Sequence, residues 1–198
     1  MEFDLFNLQP QMDIIVWIGA ITGLIAVYLL YKNNIWTWPV GFINIFCFLI
    51  VSWHQKLYGD FAAYILFLFG GIWGWIHWYI PSNKRPSILS IRNRIIWLLA
   101  TVSTIPFTLF LLKNYTDCSY PFLEAAILNL SITGQCLSAK RKLENWYVWI
   151  VADALMVIVY SLKGIYPFAL YAFIILILGF AGLFKWNKLI STQMISKL

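Results

Sequence analysis

Asp153 stands in the middle of an apolar run from Trp146 to Leu162, inside the segment WIVAD (149–153). A carboxylate at membrane depth costs at least about 2.5 kcal/mol even on insertion scales, so it points to a task. Trp149 lies four residues earlier, which on a helix puts the indole and the carboxylate on one side. A negative charge beside an aromatic face attracts a flat organic cation, by Coulomb attraction and by a cation–π contact worth about 2 kcal/mol when desolvated. The chemistry to expect is recognition of a cationic ring.

Few other polar residues lie at comparable depth. Asn44 sits in the second apolar run and, like Asp153, eight or nine residues from one end of its run. At 1.5 Å per residue that is about 12 to 13 Å, near the midplane, and the two are expected to face each other across a central cavity. In the fifth run, Glu124, Ser131 and Gln135 fall within about 40° of one another at 100° per residue and share a face. That face is expected to line the pathway. Asn129 and Thr133 lie on the other side, where hydrogen bonding to a neighbouring helix is the expected role. Glu124 is only about a turn inside its helix end.

Bond-making chemistry lacks residues. The sequence has no phosphate-binding GxxxxGK[ST] loop, no zinc motif and no nucleophile-base arrangement, so neither catalysis nor ATP coupling is expected, and no cofactor or metal is implied. Cys47, Cys118 and Cys136 show no ligand spacing and read as small buried thiols. His54 and His77 fall at helix ends, where an interfacial position is expected.

The elements that must hold these residues follow from composition. Of 198 residues, 62% are hydrophobic, 19% aromatic and 11% charged, against about 25% charged in a soluble domain. Seven apolar runs span approximately 14–31, 36–53, 60–80, 94–113, 120–139, 146–163 and 167–185. Each is close to the roughly 20 residues needed to cross the hydrocarbon, and none alternates as an outer-membrane strand must. The expected fold is all-α: an integral membrane protein with seven transmembrane helices in one domain, 1–198. The first run follows acidic residues (Glu2, Asp4, Asp13) and no cleavage site follows it, so the first helix is expected to stay. Trp36, Trp38, Trp53, Trp78, Trp146 and Trp186 fall at helix ends and read as interfacial belts.

The net charge of +6 reports orientation and not a nucleic acid. Three basic residues (Lys56, Lys113, Lys163) lie on the amino-terminal side. Eleven lie opposite: Lys32, Lys84, Arg85, Arg92, Arg94, Lys140, Arg141, Lys142, Lys185, Lys188 and Lys197. By the positive-inside rule the amino terminus is expected outside and the carboxyl terminus in the cytoplasm.

An internal repeat supplies an architecture. ITG at 21–23 recurs at 132–134, each copy followed by a basic turn and an aromatic residue, Lys32 with Trp36 and Lys142 with Trp146. Tyr58, Gly74 and Trp78 each precede Tyr166, Gly182 and Trp186 by 108 residues. The repeats are expected over 14–80 and 120–186, with a linker helix at 94–113. One intervening helix gives both copies the same orientation, a 3+1+3 plan of parallel repeats like that of SWEET carriers.

The segments NIWTWPVGFINI (34–45), KLYGDFAAYILFLFGGIWGWIHW (56–78) and KRKLENWYVWIVADALMVIVYSLKGIY (140–166) resemble the signature blocks of the PnuC family of bacterial vitamin transporters, over roughly residues 14–186. The resemblance implies seven helices in a 3+1+3 plan, a homotrimer, and passive transport of an unphosphorylated vitamin across the inner membrane, with trapping by a cytoplasmic kinase. Within that family the riboside transporters carry Trp-x-x-x-Asn where this chain reads Trp149 to Asp153, and a glutamine where it has Tyr64. An ionised Asp only accepts hydrogen bonds, which suits the exocyclic amine of an aminopyrimidine, whereas Asn suits a carboxamide. The residues therefore lean towards thiamine over nicotinamide riboside. The competing expectation is a membrane receptor or assembly protein in which the buried polar groups only pack.

Overall fold

The computed structural model describes residues 5–54, 58–80 and 85–195, with side chains described at 13–54, 61, 63–80, 85–193 and 195. Glu2, Asp4, Lys56, Leu57, Lys84 and Lys197 lie outside these residues, as do the side chains of Tyr58 and Asp60. The described chain forms seven helices: α1 (Leu5–Tyr31), α2 (Thr37–His54), α3 (Tyr58–Tyr79), α4 (Ile91–Tyr115), α5 (Pro121–Ala139), α6 (Glu144–Leu162) and α7 (Tyr166–Ile195). Over their described residues, six of them are long and apolar enough to cross a membrane. The remaining helix, α3, has 22 residues.

Helix ends depart from the apolar runs most at α1, which starts nine residues before the expected Ile14, and at α7, which continues to Ile195 rather than 185. The α7 extension has a reason. Trp186 and Ile190 continue the buried face of Ala172, Gly179 and Gly182, so helical periodicity persists after the apolar run has ended.

Apart from α3 and α4, neighbours in sequence pack against one another, and the bundle closes through α3 against α5 and α1 against α7. Helix α4 packs on α5 through two polar contacts, Thr101 Oγ1 with Thr133 Oγ1 at 2.7 Å and Asn129 Nδ2 donating to Thr108 Oγ1 at 2.9 Å. Asn129 and Thr133 thus serve the packing role their helical phase suggested. Much of the rest of α4 is exposed and apolar, including Ile91, Leu98, Leu99 and Phe107.

Four of the six tryptophans expected in interfacial belts are core residues instead. Trp38, Trp78, Trp146 and Trp186 are 6%, 2%, 1% and 0% exposed, whereas Trp36 and Trp53 remain exposed. Trp38 meets Trp78 edge-on at 5.6 Å and 88°, and Trp146 meets Trp186 at 5.5 Å and 90°. These two contacts lie 108 residues apart, a spacing that pairs Trp146 with Trp38 where the sequence pattern had aligned it with Trp36. Glycine explains the fit: a Cβ on Gly74 would overlap the Trp38 ring, and a Cβ on Gly182 would overlap Trp146. Position in sequence could not show this, because a tryptophan at a helix end suits a wet interface and a packed helix crossing equally well.

The basic end of the bundle is tied by its loops. Asn33 and Arg141, again 108 apart, both take left-handed backbone at φ 53° and 48°, and Arg141 Nε donates to Asn33 Oδ1 at 3.0 Å. The Arg141 guanidinium lies 3.7 Å from the Trp78 ring centroid. Burial draws its pKa down to about 10. The segment before α4 is strapped to the α5–α6 turn, with Ser87 N donating to Arg141 O and Leu143 N to Ser87 O. The Glu144 carboxylate accepts from Leu89 N and from Arg94 Nε, the latter at 2.8 Å.

Candidate functional site: a cavity inside the bundle

A cavity of about 280 Å³ lies within the bundle and is lined from α1, α2, α3, α5, α6 and α7. This is just under the roughly 300–1,000 Å³ usual for small-molecule sites. Aromatic and aliphatic residues make most of its wall, among them Phe42, Phe48, Phe67, Phe168 and Met156. Small residues leave room for them. A Cβ on Gly71 would come within 2.7 Å of Phe42, and one on Gly134 within 2.8 Å of the Trp149 indole. Gly134 therefore lets Trp149 lie close against α5.

Asp153 is 3% exposed, lines the cavity, and leaves Oδ2 buried without a hydrogen-bond partner. An unsatisfied carboxylate oxygen is the most costly group in this wall. Trp149, one turn away on α6, lines the same cavity, and its Nε1 donates to Ser138 Oγ at 3.1 Å. Ser138 also reaches Asn145 Oδ1 at 3.3 Å, and Asn145 Nδ2 bonds Lys142 O. This chain of bonds fixes the indole from the α5–α6 turn. Ser138 and Asn145 were missed as positioning residues, because a serine near a helix end carries no signal until its partner is known.

Three further residues singled out by sequence line the cavity. Asn44 donates through Nδ2 to Gly19 O at 2.7 Å, Tyr64 stacks on Phe48 at 5.5 Å and 10°, and Gln135 Nε2 reaches Phe67 O at 3.4 Å. Two do not. Ser131 is 2% exposed but absent from the lining, with its Oγ buried and unpartnered. Glu124 is paired with Lys163 at the other end of α5, tying it to the end of α6. The shared face of α5 is real, but a cavity shorter than the helix touches only its Gln135 end. Tyr160 and Tyr171 also line the cavity. Tyr160 lies two residues before the end of α6 and Tyr171 five after the start of α7, where phenols among so many aromatics did not stand out.

Among its aromatic residues, the lining offers one carboxylate oxygen, amide groups from Asn44 and Gln135, and phenol hydroxyls. Such a site can hold a flat, polar-edged molecule, and nothing in it positions a nucleophile. Among the described residues no three His, Cys, Asp or Glu side chains cluster as metal ligands.

A multi-pass helical bundle enclosing a mostly apolar cavity with a few convergent polar groups defines a class, that of membrane carriers for small organic molecules. Similarity to known proteins narrows it. The family model described as nicotinamide mononucleotide transporter matches residues 13–188, and the chain belongs to that family. It is 24% identical to the nicotinamide riboside transporter PnuC of Escherichia coli (strain K12), over 85% of this chain and 83% of the relative. It is 27% identical to the riboflavin/roseoflavin transporter RibM of Streptomyces davaonensis, over 81% of this chain and 79% of the relative. A crystal structure of the vitamin B3 transporter PnuC superposes with a TM-score of 0.77 at 22% identity, covering 95% of this chain and 86% of that one, and shares its fold. These relatives are transporters, not enzymes.

Proposed function

We propose that the protein is a facilitative transporter of an unphosphorylated B vitamin whose ring is flat and positively charged, with nicotinamide riboside placed first. The observation that carries the proposal is the buried, unpartnered Oδ2 of Asp153 beside the indole of Trp149 in the cavity wall. A pyridinium beside them would offset the carboxylate charge and gain the cation–π contact, and a polar group of the cargo would donate to Oδ2. Asn44, Tyr64 and Gln135 would hold the rest of the molecule. Glu124 and Ser131 act outside the pocket, the first as an ion-pair partner of Lys163.

Thiamine, favoured by the residues alone, becomes the second reading. PnuC and RibM are named for nicotinamide riboside and for riboflavin, and neither for thiamine. What still favours thiamine is the acceptor-only chemistry of Asp153, which suits an aminopyrimidine amine.

The proposed architecture is two three-helix repeats, 14–80 and 120–186, around the linker α4. The matching tryptophan contacts, glycine contacts and left-handed turns at 108-residue spacing support it. The protein is placed in the bacterial cytoplasmic membrane as a homotrimer, amino terminus outside, with cargo trapped by a cytoplasmic kinase. Uptake of labelled nicotinamide riboside, thiamine and riboflavin into proteoliposomes tests the function. Saturable entry of a cationic vitamin is expected. Binding without entry points to a receptor, and preferential entry of neutral riboflavin refutes the charge-based reading.

A further inference from the structure

Toward the basic end the cavity wall runs into a buried layer built on Trp38, Trp78, Trp146 and Trp186, joined by Leu30 and Leu143. Any cargo leaving on that side must pass between helices here. Two seams close the ring of helices at this level, α3 against α5 and α1 against α7, and they are equivalent at a spacing of 108 residues.

Their chemistry differs. In the α3/α5 seam, Trp78 Nε1 donates to Ser138 O at 3.1 Å and to Ala139 O at 2.9 Å. The equivalent of Trp78 is Trp186, and those of Ser138 and Ala139 are Leu30 and Tyr31. Trp186 is 0% exposed, yet its Nε1 is buried with no partner. The α3/α5 seam also has Gln135 Nε2 donating to the backbone carbonyl of Phe67, whereas the equivalent of Gln135 in α1 is Val27, whose side chain has no donor. Arg141 further braces the α3/α5 side by covering the Trp78 ring at 3.7 Å.

On the α1/α7 seam two cations share one ring. Lys185 Nζ lies 4.1 Å and Lys32 Nζ 5.7 Å from the centroid of Tyr31. Each ammonium gains from the ring face, while their like charges oppose close approach of α1 and α7. One seam is thus hydrogen-bonded and braced. Its equivalent holds an orphaned donor and a like-charge pair at the same depth.

Resting on the transporter reading above, we infer that the cargo cavity opens toward the basic end by parting α1 from α7, with Trp186 as the gate residue, while α3 and α5 stay together. Parting the seam lets water or a backbone carbonyl reach the Trp186 N–H, and lets Lys32 and Lys185 separate. The bonds of Trp78 to Ser138 and Ala139 need not break. Interfaces that are packed and bistable move in this way, as units and not continuously.

The test uses full-length protein with Cys47, Cys118 and Cys136 replaced by Ser. One double-cysteine variant, Tyr28→Cys with Ala181→Cys, each one helical turn before Lys32 and Lys185 and leaving both cations in place, spans α1 and α7. Another, Trp73→Cys with Lys140→Cys, spans α3 and α5, where Lys140 Nζ lies 5.8 Å from the Trp73 ring. Spin labels on the first pair in nanodiscs should give two distance populations, and on the second a single narrow one. A bis-maleimide bridge across α1/α7 should cut nicotinamide riboside uptake into proteoliposomes at least tenfold while binding in detergent persists. The same bridge across α3/α5 should leave uptake within about twofold of the unbridged variant. A single distance across α1/α7, or block of uptake by the α3/α5 bridge alone, overturns the inference. Absent uptake by the unbridged parent refutes the cargo reading, and the spin-label distances still decide the seam.

Discussion

Replacing Asp153 by asparagine preserves the size of the side chain while removing its charge and one acceptor. In the empty protein the carboxylate is 3% exposed with Oδ2 unpartnered, so it is retained at a cost of about 1–3 kcal/mol. A neutral amide is easier to bury. Asp153→Asn should therefore raise the thermal midpoint of the unliganded protein, by about 2–4 °C per kcal/mol for a chain of this size. With cargo bound the sign reverses. A cation left unpaired in a dry site costs about 1.5–3 kcal/mol, which lowers affinity roughly ten- to a hundredfold. Thiamine should weaken more than nicotinamide riboside, because the asparagine restores a partner suited to a carboxamide. Thermal melts with and without each vitamin, and calorimetric titration of both variants, read these changes directly. Unchanged affinity for both vitamins refutes the role given to Asp153, and loss of binding together with a lower midpoint in the empty protein makes it a packing residue.

A reporter fused after Leu198 should be active only on the cytoplasmic side, as eleven basic residues against three require; periplasmic activity reverses the orientation. Uptake into vesicles should survive loss of proton and sodium gradients, and collapse on adding a protonophore rules out facilitated diffusion. Gly182→Ala should destabilise the fold by about 1–3 kcal/mol, because the new Cβ overlaps the Trp146 ring inside a filled core, and a denaturation midpoint equal to the parent's contradicts that packing. Glu144→Ala leaves the buried Leu89 N–H without its carboxylate acceptor and should cost about 1–3 kcal/mol, seen as faster proteolysis of the 85–93 segment, while uptake by the surviving fold is retained.

Long apolar runs specify membrane-crossing helices almost locally, since in lipid every backbone polar group must be satisfied within its own helix. For that reason the number and order of helices, the buried pairing of Asn129 and Thr133 with α4, and the exposure of Trp36 and Trp53 were legible from residue type and helical phase. Asp153 was legible too, because a carboxylate in hydrocarbon conflicts with its surroundings whatever the fold around it. Tertiary structure alone decided where the cavity ends. Glu124, Ser131 and Gln135 share a face of α5, yet only Gln135 reaches the lining, because depth along a helix is set by its neighbours. It also decided that Trp38, Trp78, Trp146 and Trp186 form a core layer and not a belt, through contacts with glycines 36 positions away in sequence, Trp38 on Gly74 and Trp146 on Gly182. The difference between the two equivalent seams has the same origin. Whether an indole N–H finds a carbonyl depends on the register of two helices distant in the chain, and no local pattern of residues encodes that register.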